Sequence, residues 1–344
     1  MKFTFFSKCG WSLALARRCE AEGNTVNFWC ELKGVGNGFV HTVHSPVVEP
    51  DTVLVFDDNG YGPRADEYRR AGYAIIGAST FSYNLAVTPT YETTIRRLMD
   101  EYDMPSNMYI EGWFNGDDWV IGMTSLCVYD SHHLAGNLGR ETGYESGTAC
   151  FWKRVRPTVF KQSLGKLTSV LKRAGFVGPI SVGEKINGGF SRDTLQGITQ
   201  LIPMDCSKLL SDTARGTLKR ITPRYDYATT VRITIPPYPY GSVGTGGREI
   251  ADRQNFLETV NPVSVGCIGD KVVAYATTVA CSVGIGCSAG KSGQEAKVKI
   301  GKASIRENQY RVDAGAYAEK VIPIQLRKDT RCTLSAGNRL QYSL

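Results

Sequence analysis

Within the first eighty residues, short apolar runs take turns with amphipathic segments, and only a strand-helix alternation satisfies that order. KFTFF (2–6) leads through the turn SKCG into WSLALARRCEAEG, whose apolar positions recur at helical spacing up to Gly23, and TVNFWC follows as a second strand. The signal then repeats. DTVLVFDD (51–58) reads as a strand, NGYG as a turn, PRADEYRRAG as a helix with proline near its start, and YAIIGAS as a returning strand. Strands joined through helices run parallel, so this part predicts a parallel sheet with helices on both faces, over residues 1–88.

A second unit is expected over 89–237. It opens with the helix PTYETTIRRLMDEY. Two strand-like runs follow, NMYIEGWF and WVIGMTSLCVY, with Asn115-Gly116-Asp117 between them as a hairpin turn. Beyond the glycine-rich loop HHLAGNLGRETGYESG come a strand, TACFWK, a helix, VFKQSLGKLTSVLKRAG, the strand PISVGEKI and the helix SRDTLQGITQLI. TTVRITI (229–235) is a β-branched strand that Pro236-Pro237 stops. The third unit, 238–344, begins with the proline- and glycine-rich PYPYGSVGTGG. It continues with the strands of KVVAYATTVACSVGIGCSAG and the basic helix QEAKVKIGKASI, and ends in a short strand-like tail.

Composition narrows the function classes. At 344 residues and 42% hydrophobic, the chain can bury a core in each unit. No apolar run approaches the roughly 18 residues of a membrane span, and MKFTFF passes into SKCGW without a small-residue cleavage site, so a soluble cytoplasmic protein is expected. The ten cysteines form no C-x-x-C pair and the four histidines none at zinc spacing, so the thiols read as reduced and mostly buried. The net charge of +7 is dispersed in twos and threes, and no nucleic-acid recognition motif is present.

Three places are candidates for chemistry. The first is Ser7-Lys8-Cys9-Gly10, a strand-to-helix turn at the edge where open α/β sheets bind ligands, although a single glycine makes no dinucleotide fingerprint. The second is Asp57-Asp58-Asn59-Gly60 at the same edge. Its carboxylates suit an amine or a metal, and equally a capped turn. In the third, LAGNLGRETGYESG (134–147), four glycines let backbone amides approach an anion; a long surface loop is the alternative.

Taken in order, these segments resemble the phosphoribosylamine-glycine ligases of the ATP-grasp superfamily, in particular divergent phage-type forms. SKCGWSLALARRCEAEGNTVNFW and FDDNGYGPRADEYRRAGYAIIGAS are similar to the family's Rossmann-like opening domain. YIEGWFNGDDW is similar to its "E-E" hairpin, and LAGNLGRETGYESGTACFWK to its glycine-rich loop and following strand. LKRAGFVGPISVG is similar to the later helix and strand, and YDYATTVRITIPPYPYG and ENQYRVDAG to the closing domain. The resemblance implies an α/β (α+β) fold: a pre-ATP-grasp domain, an ATP-grasp domain and a small C-terminal β-rich domain.

The same resemblance marks departures. In working members a lid subdomain with two phosphate-binding lysines separates the helix ending in "I-P" from the "E-E" hairpin; here Met104-Pro105 is followed within six residues by Glu111, so the ATP-grasp domain is expected to lack the lid. From 98 to 152 there is no lysine and one arginine, Arg140, while Asp100, Glu101, Asp103, Glu111, Asp117 and Asp118 crowd the junction. Phosphoryl transfer relies on cations, so this composition opposes it. The metal-binding glutamate and asparagine have Glu184 and Asn187 as their nearest match, at altered spacing, with Arg192 beyond. In the glycine-rich loop Asn137 and Arg140-Glu141 replace family residues, while Thr142 and Gly143 are kept.

By this resemblance the ligand-binding residues would be Gly10, Asp57, Asp58, Gly60, Asn137, Gly139, Arg140, Thr142, Gly143 and Arg192, with Glu184 and Asn187 for a metal. Three functions remain open. One is a degenerate ligase that binds a small phosphorylated molecule or a protein partner. Another is an active ATP-dependent carbon-nitrogen ligase that uses ATP and magnesium. The third is an oligomeric assembly or virion-associated protein. A phage source would place any of them in host cytoplasm.

Overall fold

The computed structural model describes residues 1–85, 100, 104–151, 157–183, 186–190, 194–243 and 247–335. The expected helix over 89–102 lies outside these apart from Asp100, and Glu184 and Arg192 lie outside them altogether.

The first unit folds as the alternation requires. β1 (Lys2–Ser7), α1 (Leu13–Ala21), β2 (Thr25–Cys30), β3 (Thr52–Phe56), α2 (Gly62–Arg70), β4 (Ala74–Ile76) and α3 (Thr80–Leu85) follow in chain order. The strands make a parallel sheet in the order β2-β1-β3-β4. Phe3, Phe5 and Phe6 are all fully buried although they point to opposite faces of β1, as a sheet covered on both sides demands.

The central sheet has eight strands in the order β12-β15-β10-β7-β6-β5-β8-β9. β5 (Met108–Phe114), β6 (Ser125–His132), β7 (Glu141–Phe151), β8 (Gly178–Val182), β9 (Ile186–Gly188) and β10 (Tyr227–Thr234) come from the middle of the chain, with the helices α4 (Pro157–Gln162), α5 (Leu164–Arg173), α6 (Thr194–Leu201) and α7 (Cys206–Ala214) between them. After β11 (Arg248–Asp252) and α8 (Arg253–Thr259), β12 (Asn261–Pro262) and β15 (Thr278–Gly286) join this sheet from beyond residue 238. β11, β13 (Val265–Ile268) and β14 (Lys271–Ala274) form a separate three-stranded sheet. α9 (Ala289–Lys302) and α10 (Ala316–Ser335) close the chain.

The expected hairpin forms, with a detour. Asn115 Oδ1 accepts from the amides of Asp117 (3.0 Å) and Asp118 (2.9 Å), and Gly116 takes φ +95°, so Phe114 bridges Trp119. The chain then leaves the ladder, Ile121 bridging Arg220, and returns at Ser125 opposite Glu111.

Two expectations are corrected. Glu141 already pairs with His132, so Thr142 and Gly143 stand in β7 and the glycine-rich connection is shorter than the run 134–147. The tail is a helix, not a strand: the apolar run around Val321-Ile322 imitates a strand, but Ala318 and Ile322, four apart, are the residues that reach the core.

One face of the central sheet packs Met108, Ile110, Phe114, Leu126, Val128 and Cys150 against Leu164, Leu167 and Leu171 of α5 and against Ala318 and Ile322. On the opposite face, Trp113, Cys127, Ala149 and Ala228 belong to the larger core, which reaches back to β1 and α1. This inner face, which shares a core with the first unit, also carries Glu111 of β5, buried at 1% exposure.

Candidate functional site

In the order β2-β1-β3-β4, the chain lays β2 on one side of β1 and β3 on the other, and the crevice between the ends of β1 and β3 is where such sheets take ligands. Here protein groups meet in it. Asp57, 5% exposed, accepts through Oδ2 from the Ser7 hydroxyl, the Ser12 amide (2.9 Å) and the Ser12 hydroxyl (2.7 Å), and through Oδ1 from the Lys8 amide (3.2 Å). Burial pushes its carboxyl above the ordinary range against the pull of these donors.

Gly10 sits at φ +96°, and a Cβ there would lie 2.1 Å from the Val263 carbonyl oxygen. Ser264 Oγ donates to the Cys9 carbonyl (2.6 Å) and Gln196 Nε2 to that of Trp11 (3.1 Å). Asp58 caps the 3₁₀ turn Asn59–Tyr61 by accepting from the Gly60 amide (2.8 Å), and Lys8 Nζ stands 4.0 Å from it. Gly10, Asp57, Asp58 and Gly60 are thus gathered at one edge as expected, with these bonds made inside the protein.

The connection from β6 to β7 is held by a residue almost two hundred positions away. Arg311, 2% exposed, donates through Nη1 to the His132 carbonyl and to Asn137 Oδ1 (both 2.9 Å), and grips Asp313 with Nε (2.7 Å) and Nη2 (2.8 Å). Asp313 in turn accepts from the Gly136 amide (2.9 Å). Asp130 Oδ1 lies 3.5 Å from Nη2. Burial pushes the Asp313 carboxyl up, but the Arg311 and Gly136 donors outweigh it and leave it below the usual range. Asn137 takes φ +60°, and a Cβ on Gly139 would come within 2.7 Å of the Leu134 amide nitrogen, so the connection is tightly folded. Arg140 lies at its end, 6.0 Å over the Tyr240 ring.

Behind this connection lies a buried polar cluster. Thr142 Oγ1 reaches Glu145 Oε1 (2.5 Å), which also accepts from the Tyr238 hydroxyl; Glu145 is 1% exposed. His133 Nδ1 is 3.9 Å from Glu145 Oε2 and has no hydrogen-bond partner among the described residues. Arg232 follows the register pair Val231–Ser146, so it shares the inner face with Glu145; its Nη1 donates to the Tyr238 hydroxyl (3.4 Å). Burial, then the Glu145 carboxylate, hold the Tyr238 phenol above its ordinary value despite Arg232.

On the same face, register lines up Glu111 opposite both Ser125 and Ser181, and Ser181 opposite Asn187. Asn187 is exposed and Glu111 is 1% exposed. Burial, then the Glu111 charge, push the Cys127 thiol up, which suits an inert buried thiol. Among the described residues no three His, Cys, Asp or Glu converge as a metal site.

Sequence reasoning passed over Glu145, His133, Tyr238, Arg232 and Arg311 as site residues. One signal was available: a lone arginine in a strand as apolar as TTVRITI is buried with partners or is functional.

With this geometry in place, comparison with solved structures is informative. The chain is similar to the phosphoribosylamine-glycine ligase of Thermotoga maritima, at 13% identity and a TM-score of 0.64, over 91% of this chain and 100% of that one. It is also similar to the biotin carboxylase subunit of a pyruvate carboxylase, at 10% identity and TM-score 0.59, over 98% and 96% of the two chains. A β-γ-ATP complex of the biotin carboxylase from Campylobacter jejuni matches at 10% identity and TM-score 0.58, over 90% and 93%. No family profile and no curated protein sequence matches. The chain therefore has the fold of the ATP-grasp proteins, and at such identities the likeness is one of fold.

Proposed function

We propose that this chain is a degenerate ATP-grasp protein: it has given up ATP-dependent ligation and binds a small phosphorylated molecule on the inner face of the central sheet, beside Arg232 and the connection that Arg311 holds. The carrying observation is the passage into β5. The Met108 amide donates to the Pro105 carbonyl (3.0 Å), so a single turn joins Met104-Pro105 to the strand that bears Glu111. So short a passage supports the reading that a lid with its own lysines is missing, and residues 98–152 supply Arg140 as their one lysine or arginine.

A magnesium ion takes a shell of about six oxygens, usually including one or two carboxylates. Among the described residues the inner face offers the Glu111 carboxylate, the Asn187 amide and a Glu145 carboxylate already engaged by Thr142 and Tyr238, and no three such side chains converge, a poor match to a magnesium shell. A protein partner is the second reading, favoured by Leu134 and Leu138, 52% and 85% exposed on the same connection.

Isothermal titration with ATP and magnesium, ADP, and ribose 5-phosphate separates these. The expected result is heat with the sugar phosphate and none that requires ATP and magnesium together. Magnesium-dependent heat with ATP replaces the proposal with an active ATP-dependent carboxylate-amine ligase whose phosphate-binding cations come from elsewhere in the chain or from a second subunit.

A further inference from the structure

A row of aromatic rings crosses the inner face of the central sheet, one from each of three neighbouring strands. Tyr109 of β5 and Tyr129 of β6 have ring centroids 6.0 Å apart, tilted by 46°. Tyr129 and Tyr144 of β7 are 6.0 Å apart and within 15° of parallel. The row continues into β10, where the Arg232 guanidinium carbon lies 5.6 Å from the Tyr144 ring centre and 5.3 Å from that of Trp11.

The sequence makes room for this arrangement. The residue opposite Tyr129 on β7 is Gly147, and a Cβ there would sit 2.5 Å from the Tyr144 hydroxyl and 2.9 Å from the ring carbon that bears it. Any larger side chain would lift Tyr144 off Tyr129. The large apolar side chains that β5 and β6 turn to the other face, such as Ile110 and Leu126, are 1–2% exposed, whereas Tyr109, Tyr129 and Tyr144 all keep part of their surface in solvent. The near-parallel pair Tyr129 and Tyr144, with Tyr109 tilted beside it, presents π surface that flat rings stack on, and a largely buried guanidinium at one end favours a negative group.

We propose, on the ligand-binding reading above, that Tyr109, Tyr129 and Tyr144 form a platform for a planar heteroaromatic ring carrying an anionic group, with the ring laid over the tyrosines and the anion toward Arg232. Stacking a base on an aromatic side chain strengthens binding by roughly tenfold or more, so the ring is read as well as the charge.

The test compares AMP with ribose 5-phosphate by isothermal titration, on the native protein and on Tyr129→Ala and Tyr129→Phe. AMP is expected to bind the native protein at least tenfold more tightly; Tyr129→Ala brings it to the level of the sugar phosphate and Tyr129→Phe keeps the advantage. Equal affinities on the native protein overturn the platform while leaving the phosphorylated-ligand reading standing, and this comparison needs no variant to fold. Unchanged AMP affinity in Tyr129→Ala also overturns it. Binding of neither compound overturns both proposals.

Discussion

Arg311 shows how one side chain fixes a loop. Its guanidinium is 2% exposed and satisfied by two carboxylates, an amide oxygen and a backbone carbonyl, so its removal leaves Asp130 and Asp313 facing each other without a cation. Breaking a buried ion pair from one side costs about 3–5 kcal/mol. Arg311→Met is expected to lose about that much in urea unfolding, and Arg311→Lys to recover less than half, because an ammonium cannot make the paired contact with Asp313. The pH dependence follows from Asp313. Its carboxyl is held below the ordinary range in the fold, so its contribution is present above the unfolded value of about 3.9 and is lost as pH falls through the lower folded value. Asp130, which burial chiefly pushes up, acts with the opposite sign: its contribution is present below the unfolded value and is lost as pH rises through the folded one. The stability gap between the native protein and Asp313→Asn should therefore be widest near pH 7 and close below about pH 4. A gap that widens in acid would show that Asp313 does not hold the clamp as a carboxylate.

The turn between β1 and α1 carries the corresponding test for an element. Gly10 and Gly23 both have positive φ, yet a Cβ on Gly23 meets nothing within 4 Å, whereas one on Gly10 runs into the Val263 backbone. Left-handed backbone costs an L-residue about 1–2 kcal/mol. Gly23→Ala should lose about that amount and Gly10→Ala distinctly more, measured side by side by denaturant unfolding; equal losses would mean that the Val263 segment yields. The contrast also explains what was legible in the sequence. The alternation over residues 2–79, the hairpin at Asn115-Gly116-Asp117 and the strand TTVRITI could be read because each rests on local periodicity or turn chemistry. Gly10 marked a turn, but its neighbour Val263 lies some 250 residues away and leaves no local trace. Arg311-Val312-Asp313 was visible only as part of a resembling segment, and its hold on Asn137 and Gly136 is a tertiary fact. The tail was misread because an apolar run near Val321 fits a strand and a helix alike, and only burial of Ala318 and Ile322 decides between them.

Across the whole molecule, the second and third expected units share one sheet, and all three share one core. β12 and β15, from beyond residue 238, extend the central sheet past β10, and the largest core cluster runs from Phe3 through Trp113 to Phe256 and Ile300. Removing residues 238–344 would strip β15 from β10 and leave an eight-residue, β-branched strand as an open edge, a template for aggregation. The truncated chain is expected to be insoluble, and the full chain to unfold in one calorimetric transition; a soluble, folded 1–237 fragment would show the C-terminal part to be an independent domain. The shared core also bears on the ligand, since whatever binds the inner face touches strands contributed by distant parts of one cooperative unit and stabilises all of it. At a hundred times its dissociation constant a ligand adds about 2.7 kcal/mol. Ribose 5-phosphate should therefore raise the melting temperature of the entire transition, while ATP with magnesium leaves it where it was. A saturable rise with ATP and magnesium would mean that cations outside residues 98–152 hold the triphosphate, and the ligase activity given up in the proposal would have to be restored to it.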